Sequence, residues 1–445
     1  MMLNRSQHLV LTLAALALSA AIVLGGQRAG VWLGHVPGKS IGVAVPPLDP
    51  RPVSERQLAS LQAQLHERPD DIRALAQLGH LYLQQARETG DPAYYPRAEV
   101  AFKRVLERDE RNVAALTGLG SLALSRHQFA EALAWGERAR AFAPPTAAIY
   151  GVIGDAQIEL GQYPAAVATF QQMVDLRPDL NSYSRVSYAR ELHGQMPAAI
   201  DAMQRAVQAG APGQESTAWT RVQLGHLYFN TGALDAAQAE YERALQDVPN
   251  YLHAVAGLGR VAAARGDYAA AIAHYQGATA VVPVAEYVIA LGDVYAVAGQ
   301  WDAADEQYAL VRVQARLLAA NGVNTDLEFA LFDADHPRPG ADPRAVVTQA
   351  RAALAERPSI YAHDVLAWAL FRVGDHEEAA RASEAALHLG TQDATLHFHA
   401  GMIARARGDT ALARRSFETA LRINPSFSLL HAPEARAALA EIAGR

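Results

Sequence analysis

Residues 222–249 read VQLGHLYFNTGALDAAQAEYERALQDVP, and the pattern of this block recurs 34 positions later in residues 256–283. Two glycines and a proline mark the recurrence: Gly225, Gly259 and Gly292; Gly232, Gly266 and Gly299; Pro249 and Pro283. Apolar residues at helical spacing lie on both sides of the second glycine, which indicates two helices in each block. A helical hairpin of this size cannot bury its apolar face alone, so neighbouring blocks must stack. The sequence therefore predicts an all-α solenoid.

Each marked position has a structural explanation. The small residue after the leucine lets two antiparallel helices approach closely, and an aromatic side chain fills the remaining space. The second glycine lies between the two helices, where a left-handed backbone is easily adopted. The proline separates one hairpin from the next. We therefore interpret these residues as structural and look for binding residues elsewhere.

The block resembles the tetratricopeptide repeat. A Leu-Gly pair, an aromatic residue three positions after the glycine, a small residue, a second aromatic and a closing proline occur together: Leu224, Gly225, Tyr228, Ala237, Tyr241 and Pro249. The resemblance runs from residue 69 to residue 427. It implies a right-handed superhelix of helix-turn-helix repeats whose first helices line a concave groove. Proteins of this family hold peptides or assemble protein complexes, so the resemblance implies a protein or peptide partner.

Changes in composition divide the chain into seven segments. An apolar run at residues 9–26 follows Arg5, and its length predicts a membrane anchor, with a cleaved signal peptide as the alternative. In either case we expect the repeats to be exported. The predicted segments are the anchor or signal peptide (1–26), a Gly/Pro-rich linker (27–53), an N-terminal capping helix (54–68), regular repeats (69–318), an irregular repeat with a long loop (319–358), two regular repeats (359–427) and a C-terminal capping helix (428–445).

Composition excludes several classes of function. The net charge is −7 and the isoelectric point is about 6.1, whereas a nucleic-acid-binding protein needs a basic surface. The chain contains no cysteine, so disulfides, thiolate catalysis and a lipoprotein anchor are excluded. The sequence contains no complete enzyme motif, and no stretch outside the repeats is long enough for a catalytic domain, so we do not expect an enzyme. We predict no catalytic residue, cofactor or metal site.

The family pattern directs certain side chains toward the groove. Aromatic residues are frequent anchors at interfaces, and polar residues beside them would add selectivity. The alternative for the aromatic members is packing between neighbouring repeats. The candidate binding residues are Trp219, His226, Phe229, Arg260, Asp293, Tyr361, Trp368 and Phe371.

Three functional hypotheses follow from these features. The leading one is an exported, membrane-tethered interaction scaffold that binds a protein segment in its groove and serves assembly or maturation of other envelope proteins. A second is a metal-dependent hydrolase that uses C-terminal histidines, because His363 and His397 occupy equivalent places 34 positions apart, beside Asp364 and His399. A third is a structural homo-oligomer. The lysines of the chaperone-tail clamp known in the family do not follow any groove glycine here.

Overall fold

The computed structural model describes residues 53–444, and within them it consists of α-helices without any β-strand. The predicted anchor and almost all of the predicted linker lie outside the described residues. None of the helices in this range combines the length and apolar character needed to cross a bilayer. The helices are α1 (Val53–Glu67), α2 (Ile72–Thr89), α3 (Tyr94–Leu106), α4 (Val113–Ser125), α5 (Phe129–Phe142), α6 (Ala147–Glu159), α7 (Tyr163–Leu176), α8 (Leu180–Leu192), α9 (Met196–Ala209), α10 (Glu215–Asn230), α11 (Leu234–Asp247), α12 (Leu252–Ala264), α13 (Tyr268–Val281), α14 (Ala285–Val297), α15 (Trp301–Ala320), α16 (Asp326–Asp335), α17 (Pro343–Glu356), α18 (Ile360–Arg372), α19 (His376–Leu387), α20 (Ala394–Ala406), α21 (Thr410–Ile423) and α22 (His431–Ala443).

These helices form a solenoid of consecutive hairpins from α2–α3 to α20–α21, with α1 and α22 at its two ends. The first helix of every hairpin therefore carries an even number. Helices α16 and α17 lie in the segment predicted to be an irregular repeat. Helix α15 runs to Ala320, two residues beyond the boundary predicted for the regular repeats.

Glycines allow the helices to pack closely around aromatic rings. A Cβ atom on Gly225 would lie 2.4 Å from the ring of Tyr241, and one on Gly257 would lie 2.6 Å from the same ring. Tyr241 is fully buried between the two first helices. This packing agrees with the structural role that the sequence pattern predicts for the first glycine and the second aromatic.

Successive turns of the superhelix contact each other directly. Hydrogen bonds join residues that are 195 to 198 positions apart, so one superhelical turn takes about that many residues. We call this line of contacts the inter-turn seam. Its hydrogen-bonded pairs are Arg126 and His127 with Asn324, Glu159 with Arg357, Tyr163 with Ile360, and Phe229 with Asn424.

The seam is closely packed. The hydroxyl of Tyr163 accepts a hydrogen bond from the backbone N–H of Ile360 at 2.7 Å. The guanidinium of Arg357 donates to the carboxylate of Glu159 at 2.6 Å. Gly194 has a left-handed backbone, with φ of 68°, and a Cβ atom there would lie 2.2 Å from the carbonyl oxygen of Gly390. Because the second turn packs on the first, the concave groove implied by the family pattern is lined by both turns.

Candidate binding cavity

The concave face forms a cavity of about 870 Å³ that is open to solvent. The first helices α2, α6, α8, α10, α12 and α14 supply most of its wall. The second turn adds α18, the start of α20 and the segment after α21. The cavity therefore lies where the family pattern places the groove, with a second wall that the repeat pattern alone does not predict.

Four of the eight candidate binding residues line this cavity. They are Trp219, His226, Arg260 and Tyr361. Trp219 is 41% exposed, a large accessible fraction for a tryptophan in a folded chain. A smaller adjoining cavity of about 220 Å³ is also lined by His226 and Arg260, and it brings in two further candidates, Phe229 and Asp293.

The ring of Phe229 packs against the guanidinium group of Arg260. Its ring is only 2% exposed, and the Arg260 guanidinium carbon lies 3.9 Å from the ring centroid, which is a cation–π contact. Arg260 also donates to the side-chain oxygen of Asn230 at 3.4 Å. Phe229 thus acts through packing, and the guanidinium is the group presented to the cavity.

Asp293 is held by two neighbours. Its Oδ1 atom accepts a hydrogen bond from the Tyr308 hydroxyl at 2.9 Å and lies 2.7 Å from Nε2 of His336. Burial raises the pKa of Asp293 to about 7, and burial lowers the pKa of His336 to about 4. His336 comes from the end of α16, so the irregular repeat uses this contact to pack against the preceding hairpin.

Trp368 and Phe371 line neither cavity: Trp368 lies in the core of the C-terminal repeats, and Phe371 packs against that core. Trp368 is 2% exposed, and its ring stacks on Phe371 and His399 at centroid distances of 4.9 and 4.2 Å. The indole N–H donates to Asp335 at 2.7 Å. These two aromatic residues pack between repeats, which is the alternative to partner binding given for the aromatic candidates.

The charged lining of the large cavity is mainly acidic. Arg185 makes a two-pronged ion pair with Asp155, at 2.9 and 2.7 Å. His226 adds no positive charge near neutral pH, because burial lowers its pKa to about 3. The acidic residues are Asp155, Glu191, Glu215, Glu286 and Asp393, and the arginines are Arg87, Arg185 and Arg260.

The sequence analysis did not identify three residues of this lining as candidates: Tyr188, Glu191 and Asp393. Tyr188 and Glu191 lie on α8, and Asp393 approaches them from the second turn together with the candidate Tyr361. Asp393 caps helix α20 by accepting from the backbone N–H of Thr395, and a sequence pattern reveals only that capping role. The repeat period gives no signal for contacts between turns.

The C-terminal histidines make contacts with other protein groups. His399 lies 2.9 Å from Asp364, and both side chains are buried. Burial alone would lower the pKa of His399, but the Asp364 carboxylate outweighs it and the pKa is raised. Across residues 53–444 no group of three or more His, Asp or Glu side chains converges as a metal site requires.

Comparison with known proteins gives the family. A family profile described as tetratricopeptide repeat matches residues 93–147, 152–214, 222–285 and 365–426. No curated protein matches the chain.

Several solved structures are similar in fold. TTC0263, a thermophilic tetratricopeptide repeat protein of Thermus thermophilus, shares 22% identity over 43% of this chain and 97% of that one, with a TM-score of 0.38. The human IFIT1 dimer shares 16% identity over 83% and 86% of the two chains, with a TM-score of 0.46. Pseudomonas aeruginosa pilF shares 17% identity over 50% and 96%, with a TM-score of 0.36. With its repeat profile matched over more than half of its length, the chain belongs to the tetratricopeptide repeat family.

Proposed function

We propose that this protein is an interaction scaffold that holds an extended segment of a partner protein in the cavity of its superhelix. The tetratricopeptide fold supports a protein–protein interaction scaffold, because such solenoids present a long concave surface for binding. The observation that carries the proposal is the cavity of about 870 Å³ lined by first helices, with Trp219 accessible in its wall.

The character of the lining favours a polypeptide segment over a small apolar ligand. Small-molecule pockets are mostly apolar with a few polar groups, whereas eight charged side chains line this cavity, five acidic and three arginines. A peptide brings side chains of several kinds together with its own backbone donors and acceptors. Trp219 and Tyr361 would supply apolar contact area, and Arg260 a donor for a backbone carbonyl.

Site-specific photocrosslinking tests this proposal. We would replace Trp219 by p-benzoylphenylalanine in the full chain, irradiate cells that produce it, and map the crosslinked peptides by mass spectrometry. Trp301 is 66% exposed and lines neither cavity, so the same replacement there is the matched control. We expect one recurrent partner segment from position 219 only. Equal capture from both positions, or capture from neither, would refute binding in the cavity.

We further propose that the repeats are exported and that residues 1–26 tether them to the membrane. At the membrane, the scaffold serves assembly or maturation of another envelope protein. The apolar run of residues 9–26 supports this. Full-length chain should sediment with membranes and resist carbonate extraction, while a chain lacking residues 1–26 should be released. Release of the full-length chain by carbonate would contradict tethering.

A further inference from the structure

The cavity wall carries an acidic patch formed by Tyr188, Glu191, Tyr361 and Asp393. Tyr188 and Glu191 lie on α8 in the first turn, and Tyr361 and Asp393 lie at the starts of α18 and α20 in the second. We infer that the partner segment carries a lysine or arginine whose cationic group binds in this acidic patch. The inference rests on the proposed function, since it specifies the chemistry of the segment held in the same cavity.

The two carboxylates are close enough to affect each other. Burial raises the pKa of Glu191 to about 7, and the charge of Asp393 adds to that rise. Burial also raises the pKa of Asp393. Burial raises the pKa of Tyr361 well above its ordinary value, and both carboxylates contribute to that shift. The four side chains are therefore half-buried in one cavity wall, and their charges are close enough to interact.

Neither carboxylate has a cationic partner within the described chain. Glu191 accepts a single hydrogen bond, from the Asn230 amide at 3.3 Å. Asp393 accepts only from backbone N–H groups at the start of α20, at 2.8 and 3.4 Å. Arg260, the arginine whose charge lowers the pKa of Glu191, rests on Phe229 and bonds to Asn230 without reaching the carboxylate.

The neighbouring ionic groups are already paired. Arg357 binds Glu159, and His399 binds Asp364, so neither cation is available to the acidic patch. Buried carboxylates are usually paired with a cation, because removing an unpaired charge from water is costly. A cation supplied by a bound segment would complete this environment.

The two tyrosines place further polar and aromatic groups beside the carboxylates. Both side chains line the cavity and are half-buried. No hydrogen bond joins the hydroxyl of Tyr188 or Tyr361 to another described residue, and neither hydroxyl is a buried unpaired atom, so both are open to the cavity. Aromatic faces beside carboxylates are suited to an ammonium or guanidinium group, through charge-assisted hydrogen bonds and cation–π contact. An acidic segment would instead be repelled.

Selection from a phage-displayed random dodecapeptide library on the full-length chain in detergent tests this inference. We expect the enriched peptides to share one lysine or arginine position. Replacing that residue by uncharged norleucine should weaken binding to the wild-type chain about tenfold, which is the scale of one charge-assisted contact.

Protein variants then locate the effect. In the Glu191→Gln, Asp393→Asn double variant the norleucine replacement should change affinity by less than about threefold, because the charge partner is gone. Asparagine preserves the helix cap and glutamine preserves the acceptor for Asn230, and the single Glu191→Gln variant serves if the double variant is poorly folded. The Asp302→Asn, Glu306→Gln variant removes the same charge from the exposed face of α15 and should behave as wild type.

The remaining outcomes separate this inference from the proposed function. Enriched peptides that are neutral or acidic, but lose binding in the Trp219→Ala chain, would overturn the inference and keep the cavity as a binding site. An equal norleucine effect in the double variant and in wild type would also overturn it. No enrichment, or peptides indifferent to Trp219→Ala, would overturn both proposals.

Discussion

Closure of the superhelix at the inter-turn seam can be tested by the removal of one oxygen atom. The Tyr163 hydroxyl accepts the backbone N–H of Ile360 at 2.7 Å, and Tyr163 is only 3% exposed. These residues belong to α7 and α18, which lie 197 positions apart in sequence and meet only because the turns are closed. The change Tyr163→Phe keeps the ring and its packing and removes only the acceptor.

The magnitude follows from the position of the N–H group. Ile360 is the first residue of α18, so its N–H has no partner within the helix. The cap residue Ser359 does not replace the lost acceptor, because its hydroxyl accepts from Ala362. Leaving a buried donor unsatisfied costs about 1–3 kcal/mol, and water entering an opened seam lowers this toward about 1–2 kcal/mol. The equilibrium for local opening should therefore rise about 5- to 30-fold.

Native-state hydrogen exchange measures this opening. In Tyr163→Phe the protection of peptides covering the start of α18 should fall by that factor, while peptides from α12 should exchange as in wild type. Tyr275→Phe is the control, because Tyr275 is also a buried tyrosine and makes no hydrogen bond across the seam. Unchanged protection at α18 in Tyr163→Phe, or an equal loss in the control, would show that the seam does not hold the turns together in this way.

Three further variants test the packing and the electrostatics. Trp368→Ala should lower the free energy of unfolding by about 3–5 kcal/mol in urea denaturation, because it empties a buried site, while Trp219→Ala should cost less than about 0.5 kcal/mol; equal losses would contradict their different placement. Gly194→Ala should lower the melting temperature more than Gly408→Ala, although both glycines have left-handed backbones. A Cβ atom added at Gly194 would lie 2.2 Å from a carbonyl oxygen, whereas one added at Gly408 would have no atom within 4 Å. Equal losses in melting temperature would argue against the seam. Burial raises the pKa of Glu191 from 4.5 to about 7, so the folded state binds this proton more tightly than the unfolded state. The free energy of unfolding should therefore fall as the pH rises from 4.5 to about 7. Glu191→Gln should remove this part of the pH dependence, and an unaltered pH profile would refute the assignment.

The sequence predicts the hairpins well because their determinants are local. Gly225 and Tyr241 lie 16 positions apart, and the contact between them is repeated in kind wherever the pattern recurs. The irregular repeat is also predicted from the sequence, because its long loop interrupts the repeat pattern. These features depend on neighbouring residues and adjacent repeats, which a single period describes.

Contacts between superhelical turns depend on a different quantity. Each repeat is rotated slightly against the last, and the sum of these rotations over 195 to 198 residues decides which groups meet. Gly194 shows the consequence: its left-handed backbone agrees with the predicted turn, but its close approach to Gly390 is not visible in the repeat pattern. For the same reason, nothing in the repeat pattern indicates that Glu191 and Asp393 lie near each other.

The orientation of side chains in the C-terminal repeats also depends on tertiary packing. Trp368 lies on a first helix, where the family pattern favours the groove. The irregular repeat places Asp335 within hydrogen-bond distance of its indole N–H, and His399 stacks on the ring. These contacts draw the indole into the core. The Trp219 side chain lacks neighbours of the kind that Trp368 has, and it remains accessible in the cavity wall.

Closure changes the electrostatics of the concave face. In a solenoid with a single wall, water covers one side of a bound segment and screens its charges, whereas here protein from both turns lines the acidic patch and reduces that screening. The seam brings Glu191 from the first turn and Asp393 from the second into the same cavity wall, where their like charges would oppose closure. A bound lysine or arginine would reverse the sign of that contribution. Binding and closure then stabilise each other, because the cation interacts with carboxylates from both turns only when the turns are in contact.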